Sequence, residues 1–261
     1  MADVSIIILS HNKPRFVEEA IRSVLQQTHP NWEALLVDSG VLYAQGFFDK
    51  FKDPRLKITA SGETPELART KNMASWCFNR WLNSGQINGE LVMYLCDDDL
   101  IYPEAFATFW KFHLDHGREP QAMYSSQHIG LVAPDGTTQV IGERIADRPG
   151  GRFCKGRRLD CRVDYLQFCH TAKILEKFRE RYQTTEYHLE DRRYARHADG
   201  IFMEKIGALT TIHPVPAILS MNRRTTESVN LSYSSSAAGR LYITLKEKVR
   251  GAWERMFDRP Y

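Results

Sequence analysis

Residues 4–10 form a nearly unbroken apolar run in which Val4, Ile6, Ile7 and Ile8 are β-branched and Ser5 is the single interruption before Leu9 and Ser10. Such a run predicts a strand covered on both faces, as in a parallel sheet. Residues 10–13 turn the chain, and Pro14 suits the first turn of a helix. Phe16, Val17, Ala20, Ile21, Val24 and Leu25 recur at helical spacing, which predicts a helix to about Gln27. Residues 28–31 break it. Residues 32–37 read as a second buried strand, ending in Asp38-Ser39-Gly40, and complete one βαβ unit of the usual right-handed kind.

The alternation continues with a short strand at 56–59, a helix over 66–83 and a strand at 91–96. After Pro103 comes a helix carrying Phe106, Phe109, Trp110 and Phe112. The pattern predicts an α/β fold with a single Rossmann-like, doubly wound, mostly parallel sheet and helices on both faces. Ligands of such sheets bind at the carboxyl ends of strands, near the point where strand order reverses. Asp38 and Asp97–Asp99 both fall at predicted carboxyl ends.

From residue 119 the pattern loosens. Residues 123–126 and 129–132 are strand-like, and Pro134-Asp135-Gly136 is a turn signal. The Gly- and Arg-rich stretch 148–158 reads as a loop. Helices are predicted over 171–182 and from near Asp199, a small polar stretch at 232–236, and an amphipathic closing helix over 240–256. Neither an internal repeat nor a linker divides the 261 residues, so one domain is expected, in two halves, 1–118 and 119–261.

Composition adds little to this. The chain is 43% hydrophobic and 26% charged, and its net charge of +3 makes no separate case for nucleic acid or membrane partners. The basic clusters Lys155-Gly156-Arg157-Arg158 and Arg192-Arg193 read first as solvated loop charge. Cys77, Cys96, Cys154, Cys161 and Cys169 contain no CxxC pair, which argues against zinc and against a disulfide framework and points to a reducing compartment. Met1-Ala2-Asp3 lacks a basic leader region, and the apolar run 6–9 is too short for a signal or membrane segment. A soluble, cytoplasmic protein without a transmembrane segment is the expectation.

The strongest chemical signal is Asp97-Asp98-Asp99 directly after a predicted buried strand. Three adjacent carboxylates repel one another unless a cation or hydrogen-bond donors compensate. Helix capping would need one Asp. Three are better suited to a hard divalent ion, held by one or two carboxylates and completed by substrate phosphates. Asp38 and Ser39, beside Ser10, His11 and Asn12, would form a polar mouth fitted to a base and ribose, with His11 able to stack. Arg69 and Lys71, two apart near the start of a helix, could contact a diphosphate or could be plain exposed charge.

Residues 4–8 with Asn12-Lys13-Pro14, the stretch 20–28 containing Ser-Val-Leu-Gln-Gln-Thr, and Val37-Asp38 together resemble the opening of family 2 glycosyltransferases of the GT-A fold. Asp97-Asp98-Asp99 with Pro103 sits where that family carries its DXD-type metal motif. Within the family the chain is most similar to the bacterial spore-coat polysaccharide glycosyltransferase type, in length, strand-end spacing and the flavour of residues 97–103. The resemblance is strong over 4–38 and 89–112, thin over 119–220 and absent beyond.

What the resemblance implies is an inverting transfer from a nucleoside-diphosphate sugar, a UDP- or dTDP-sugar, to a saccharide or glycoconjugate acceptor. Residues 1–118 would bind the nucleotide sugar and 119–261 the acceptor. Asp38 would lie in the base and ribose pocket, Asp97 near the ribose or sugar, and Asp98 on Mn²⁺ or Mg²⁺ with Asp99 a neighbour in the same loop. A carboxylate would serve as general base. Asp199 is favoured, because helix-like residues follow it and Pro214-Val215-Pro216 lies fifteen residues on, where the family ends a strand. Asp191, in Glu190-Asp191, is the competitor. Two departures stand out: Ser39 where relatives often have a second acid, and Cys96 where many have Asp. The competing readings are transfer to a modified base in DNA, which the basic loops permit, and a non-catalytic sugar-nucleotide-binding protein, against which the intact acidic loop argues.

Overall fold

The structure, a computed structural model, describes residues 2–146, 163–195 and 197–225. The expectations for 148–158, 232–236 and 240–256, and Cys154 and Cys161, lie outside those residues. Among the described residues no helix is long and apolar enough to cross a membrane.

The first βαβ unit comprises β1 (Val4–Ser10), α1 (Pro14–Leu25) and β2 (Trp32–Asp38), followed by β3 (Leu56–Ala60). Pro14 opens α1, and Val17, Ala20, Ile21 and Val24 form its buried stripe. Every residue of β2 is buried. After α2 (Pro65–Thr70) and α3 (Met73–Leu82) come β4 (Leu91–Leu95), the two-residue β5 (Leu100–Ile101) and α4 (Ala105–Asp115). The second half supplies β6 (Ala122–Val132), β7 (Thr138–Arg144), β8 (Phe168–Thr171), α5 (Ile174–Tyr182), α6 (Ala198–Gly207) and β9 (Ile212–Arg224).

Among the described residues nine strands join one sheet in the order β3-β2-β1-β4-β8-β6-β9-β5, with β7 paired to β6. β3, β2, β1 and β4 run parallel, β8 is antiparallel to both β4 and β6, and β9 is parallel to β6. Six strands therefore share one direction, and β5, β7 and β8 oppose it. The sheet is mostly parallel, as the pattern predicts. Side chains of β1 alternate between its faces. Ile6 and Ile8 pack with α1 and α4, through Val17, Ala20, Ile21, Phe106 and Phe109. Ile7 packs with α3, α5 and α6, through Phe78, Phe178 and Phe202. Strand order reverses between β1 and β4, so the crevice for a ligand opens at their carboxyl ends.

Four local expectations change. The helix over 66–83 is two helices, because the Asn72 N–H donates to the Glu190 carbonyl at 2.6 Å while Lys71 bridges Asp191. Thr171 ends β8 rather than starting a helix, and α5 begins at Ile174. The strand-like pieces at 123–126 and 129–132 are one strand, β6. Pro214-Val215-Pro216 does not end a strand. β9 runs through it, with Ser125 opposite Val215 but Ser126 opposite Ile218, so the extra residues bulge where proline cannot donate to the ladder.

Candidate active site

The carboxyl ends of β1, β2 and β4 meet in one hydrogen-bonded rim. Ser10 Oγ donates to Asp38 Oδ1 at 2.8 Å, and the Tyr43 N–H donates to Asp38 Oδ2 at 2.9 Å, so Asp38 is buried with both oxygens engaged. Ser39 Oγ donates to the Ser10 carbonyl at 3.1 Å. His11 Nδ1 lies 3.1 Å from the same hydroxyl, which leaves that contact to an imidazole N–H. The His11 side chain is exposed at the mouth.

Asn12 takes a left-handed backbone, φ 55°, and its Oδ1 accepts the Val41 N–H at 2.9 Å. A Cβ on Gly40 would stand 2.2 Å from that oxygen, so glycine is what allows the two loops to touch.

The acidic loop faces two ways. The His11 N–H donates to Asp97 Oδ2 at 2.8 Å. Lys13 Nζ lies 3.1 Å from Asp97 Oδ1 and 2.9 Å from Asp98 Oδ2. Burial raises the Asp97 carboxyl above its ordinary range, opposed by Lys13 and assisted by Asp98. The two carboxylates hold the Lys13 ammonium well above the usual lysine range against the cost of its burial. Asp99 turns away instead. It accepts the Arg223 N–H at 2.8 Å and Asn222 Nδ2 at 3.2 and 3.3 Å. Burial, then the Asp98 and Asp164 charges, push its pKa well up. The Arg223 guanidinium closes the clamp, with Nε donating to the Asp98 carbonyl and NH1 paired with Glu19 of α1.

Lys71 Nζ pairs with Glu190 at 3.0 Å, and the exposed Arg69 offers its carbonyl to Arg192. Asp191 is committed to Arg193, whose N–H, Nε and NH2 all donate to it and lower its pKa. Asp199 is the second residue of α6, half buried, and its Oδ1 accepts the Gly200 N–H at 2.8 Å. Burial first, then the charge of Asp199 and, further down, of Cys96, raise the Tyr165 phenol. Cys96 itself is kept a neutral thiol, by burial and by Asp97–Asp99. Cys77, Cys96 and Cys169 are free.

Among the described residues no group of three or more His, Cys, Asp or Glu side chains could hold a metal ion by itself. Two oxygens, Asp97 Oδ1 and Asp98 Oδ2, do converge on a single cationic point, now the Lys13 ammonium. That set fits a hard ion completed by a ligand's phosphates rather than an all-protein cage. Sequence reasoning missed Lys13 and Arg223. Lysine before Pro14 reads as a solvated helix start, yet three adjacent carboxylates demand a cation, and that demand was the available signal.

Residues 5–119 match the Glycosyl transferase family 2 profile. The chain is 26% identical over 235 residues to protein CgeD of Bacillus subtilis (strain 168), covering 88% of this chain and 52% of that protein. It spans about half or less of the length of the curated relatives it matches. In structure it is similar to S. aureus TarS 1–349 in complex with UDP-GlcNAc, with a TM-score of 0.65 and 16% identity over 100% of this chain and 68% of that one. It is also similar to the mannosyltransferase PcManGT of Pyrobaculum calidifontis in complex with GDP-Man and Mn²⁺, with a TM-score of 0.52 and 14% identity over 99% of this chain and 65% of that one. These likenesses establish the GT-A fold.

Proposed function

We propose, from the match of residues 5–119 to the family 2 glycosyltransferase profile, that the chain transfers a sugar, with inversion, from a UDP- or dTDP-sugar to a hydroxyl of a saccharide or glycoconjugate. The observation that carries the reading is the meeting, at the reversal point of the sheet, of the Asp38 rim with two carboxylate oxygens that converge on one cation. Structures of the same fold in complex with UDP-GlcNAc, and with GDP-Man and Mn²⁺, support it.

In this reading the exposed His11 ring covers the base, and Asp38 with Ser10 and Ser39 shapes the base and ribose mouth. Asp97 and Asp98 would hold Mn²⁺ or Mg²⁺. Bound there, the ion would neutralise charge developing on the departing diphosphate. Asp99 anchors the loop on which Asp97 and Asp98 stand. Asp199 accepts the proton of the acceptor hydroxyl as its oxygen attacks the anomeric carbon. The bond from that carbon to the diphosphate oxygen breaks on the opposite face, and the sugar inverts. Lys71 reaches a diphosphate only when its pair with Glu190 opens, whereas the exposed Arg69 side chain is left to solvent or to ligand.

The test is binding as well as turnover. UDP should raise the melting temperature of the wild-type protein in Mn²⁺ and far less in excess chelator, by mass-action linkage. Asp98→Ala should lose both the metal-dependent shift and sugar transfer. Full transfer in excess chelator would remove the metal from the mechanism. Absence of any shift with uridine or thymidine diphosphate would remove the donor assignment.

A further inference from the structure

The acidic loop is neutralised by the chain itself, and this bears on how a metal would enter. Asp97 Oδ1 and Asp98 Oδ2 meet at Lys13 Nζ, with the three side chains 8%, 14% and 17% exposed. Asp97 cannot swing away freely, since its other oxygen holds the His11 N–H at 2.8 Å. Nor is Lys13 loosely placed. It caps α1 immediately before Pro14, whose ring disfavours helical backbone in the residue ahead of it, and it sits at φ −118°, ψ 70°. The backbone of Lys13 is therefore restricted, and its ammonium is held by the two carboxylates.

We infer that Lys13 is an exchangeable counter-cation that couples metal binding to diphosphate binding, an inference that rests on the metal-assisted reading above. A hard divalent ion needs the same two oxygens at about 2.0–2.1 Å, where an ammonium bonds near 3 Å. Both cations cannot use them at once, and two positive charges so close repel. Metal entry therefore displaces Lys13. In the nucleotide-free protein the displaced ammonium loses its partners, so free metal binds weakly. When a diphosphate arrives, its oxygens offer the ammonium a new partner at the same place, and the carboxylates pass to the ion. Metal and diphosphate then strengthen each other's binding by the same factor.

Mn²⁺ titration followed by electron paramagnetic resonance, with and without UDP, reads this directly. Wild-type protein should bind Mn²⁺ weakly alone and at least about ten-fold more tightly with saturating UDP. Lys13→Met should bind Mn²⁺ about ten-fold more tightly than wild type without UDP, and UDP should then add less than it does in wild type, the remaining gain coming from direct ligation of the ion by the phosphates. In chelator Lys13→Met should melt lower than wild type, and Mn²⁺ alone should restore it, which a purely structural ion pair would not allow. Lys13→Gln repeats the comparison if the methionine variant does not fold, and Lys13→Arg should behave like wild type. UDP-dependent Mn²⁺ binding in wild type, unchanged in both neutral variants, would overturn the role of Lys13 and leave the metal-assisted reading standing. Absence of Mn²⁺ binding in wild type even with UDP would overturn both.

Discussion

Asp191 and Asp199, the two candidates for the general base, stand in different surroundings. Asp191 receives three donors from Arg193 and is held below the ordinary carboxylate range, so it is a poor proton acceptor. Asp199 is half buried at the start of α6, beside the phenol that also feels Cys96. A general base contributes on the order of 10²–10⁴ in rate. Asp199→Asn is expected to lose that factor in kcat with the fold and UDP affinity retained, while Asp191→Asn stays within a few-fold of wild type. Steady-state kinetics on both variants checks it, and a dead Asp191→Asn beside an active Asp199→Asn would reverse the assignment. The candidate residues at strand ends could be found in the sequence because each strand announces its own end. Their partners could not, since Lys13 meets Asp97 across 84 positions and Arg223 meets Asp99 across 124.

At the scale of elements, the end of β9 fixes the acidic loop. Asp99 accepts from two consecutive residues of that strand, and Arg223 returns a bond to the Asp98 carbonyl and spans to Glu19 of α1. Burial disfavours the charged form of Asp99, so an amide should imitate the neutral acid well. Asp99→Asn is expected to be mild. Asp99→Ala leaves buried donors without acceptors and should cost about 1–3 kcal/mol, read as a lower urea midpoint at unchanged slope. Equal midpoints for the two variants would mean that Asp99 does not anchor β9. The elements differ in how well local sequence specifies them. β1 and β2 are continuous buried runs and can be read alone. β8 is four residues, Phe168, Cys169, His170 and Thr171, with no period of its own, and it is a strand because β4 and β6 flank it. The break between α2 and α3 comes from a carbonyl at Glu190, which no window around Asn72 contains.

For the whole molecule, the apolar layer that contains Tyr94, Phe168 and Phe202 surrounds two buried histidines that tie stability to pH. Neutral His170 donates its Nδ1–H to the Thr171 carbonyl at 2.9 Å and accepts the Tyr94 hydroxyl at Nε2 at 2.6 Å, and burial pulls its pKa from 6.5 down to about 4. His188 is shifted the same way, by burial and then by His170. The unfolded chain gains a proton below pH 6.5 that the folded chain refuses until about pH 4. Stability from His170 is therefore complete above pH 6.5 and declines as pH falls through that window, by about 3 kcal/mol in all. Asp97 and Asp99, with raised pKa values, act in the opposite sense. Melting temperatures from pH 7 to 4 should fall less steeply in His170→Asn than in wild type, and parallel curves would exclude His170 as the cause.

The place of β8 in the sheet also has a consequence for how the chain is made. β4 leaves the ribosome some seventy residues before β8, its partner along Leu91–Met93. Until β8 arrives, an all-apolar strand presents an unpaired edge, the kind that templates association with other chains. Residues 1–118 hold almost all of the stretch that matches the family 2 profile, yet translation that stalls after them would release a protein with the edge of β4 open.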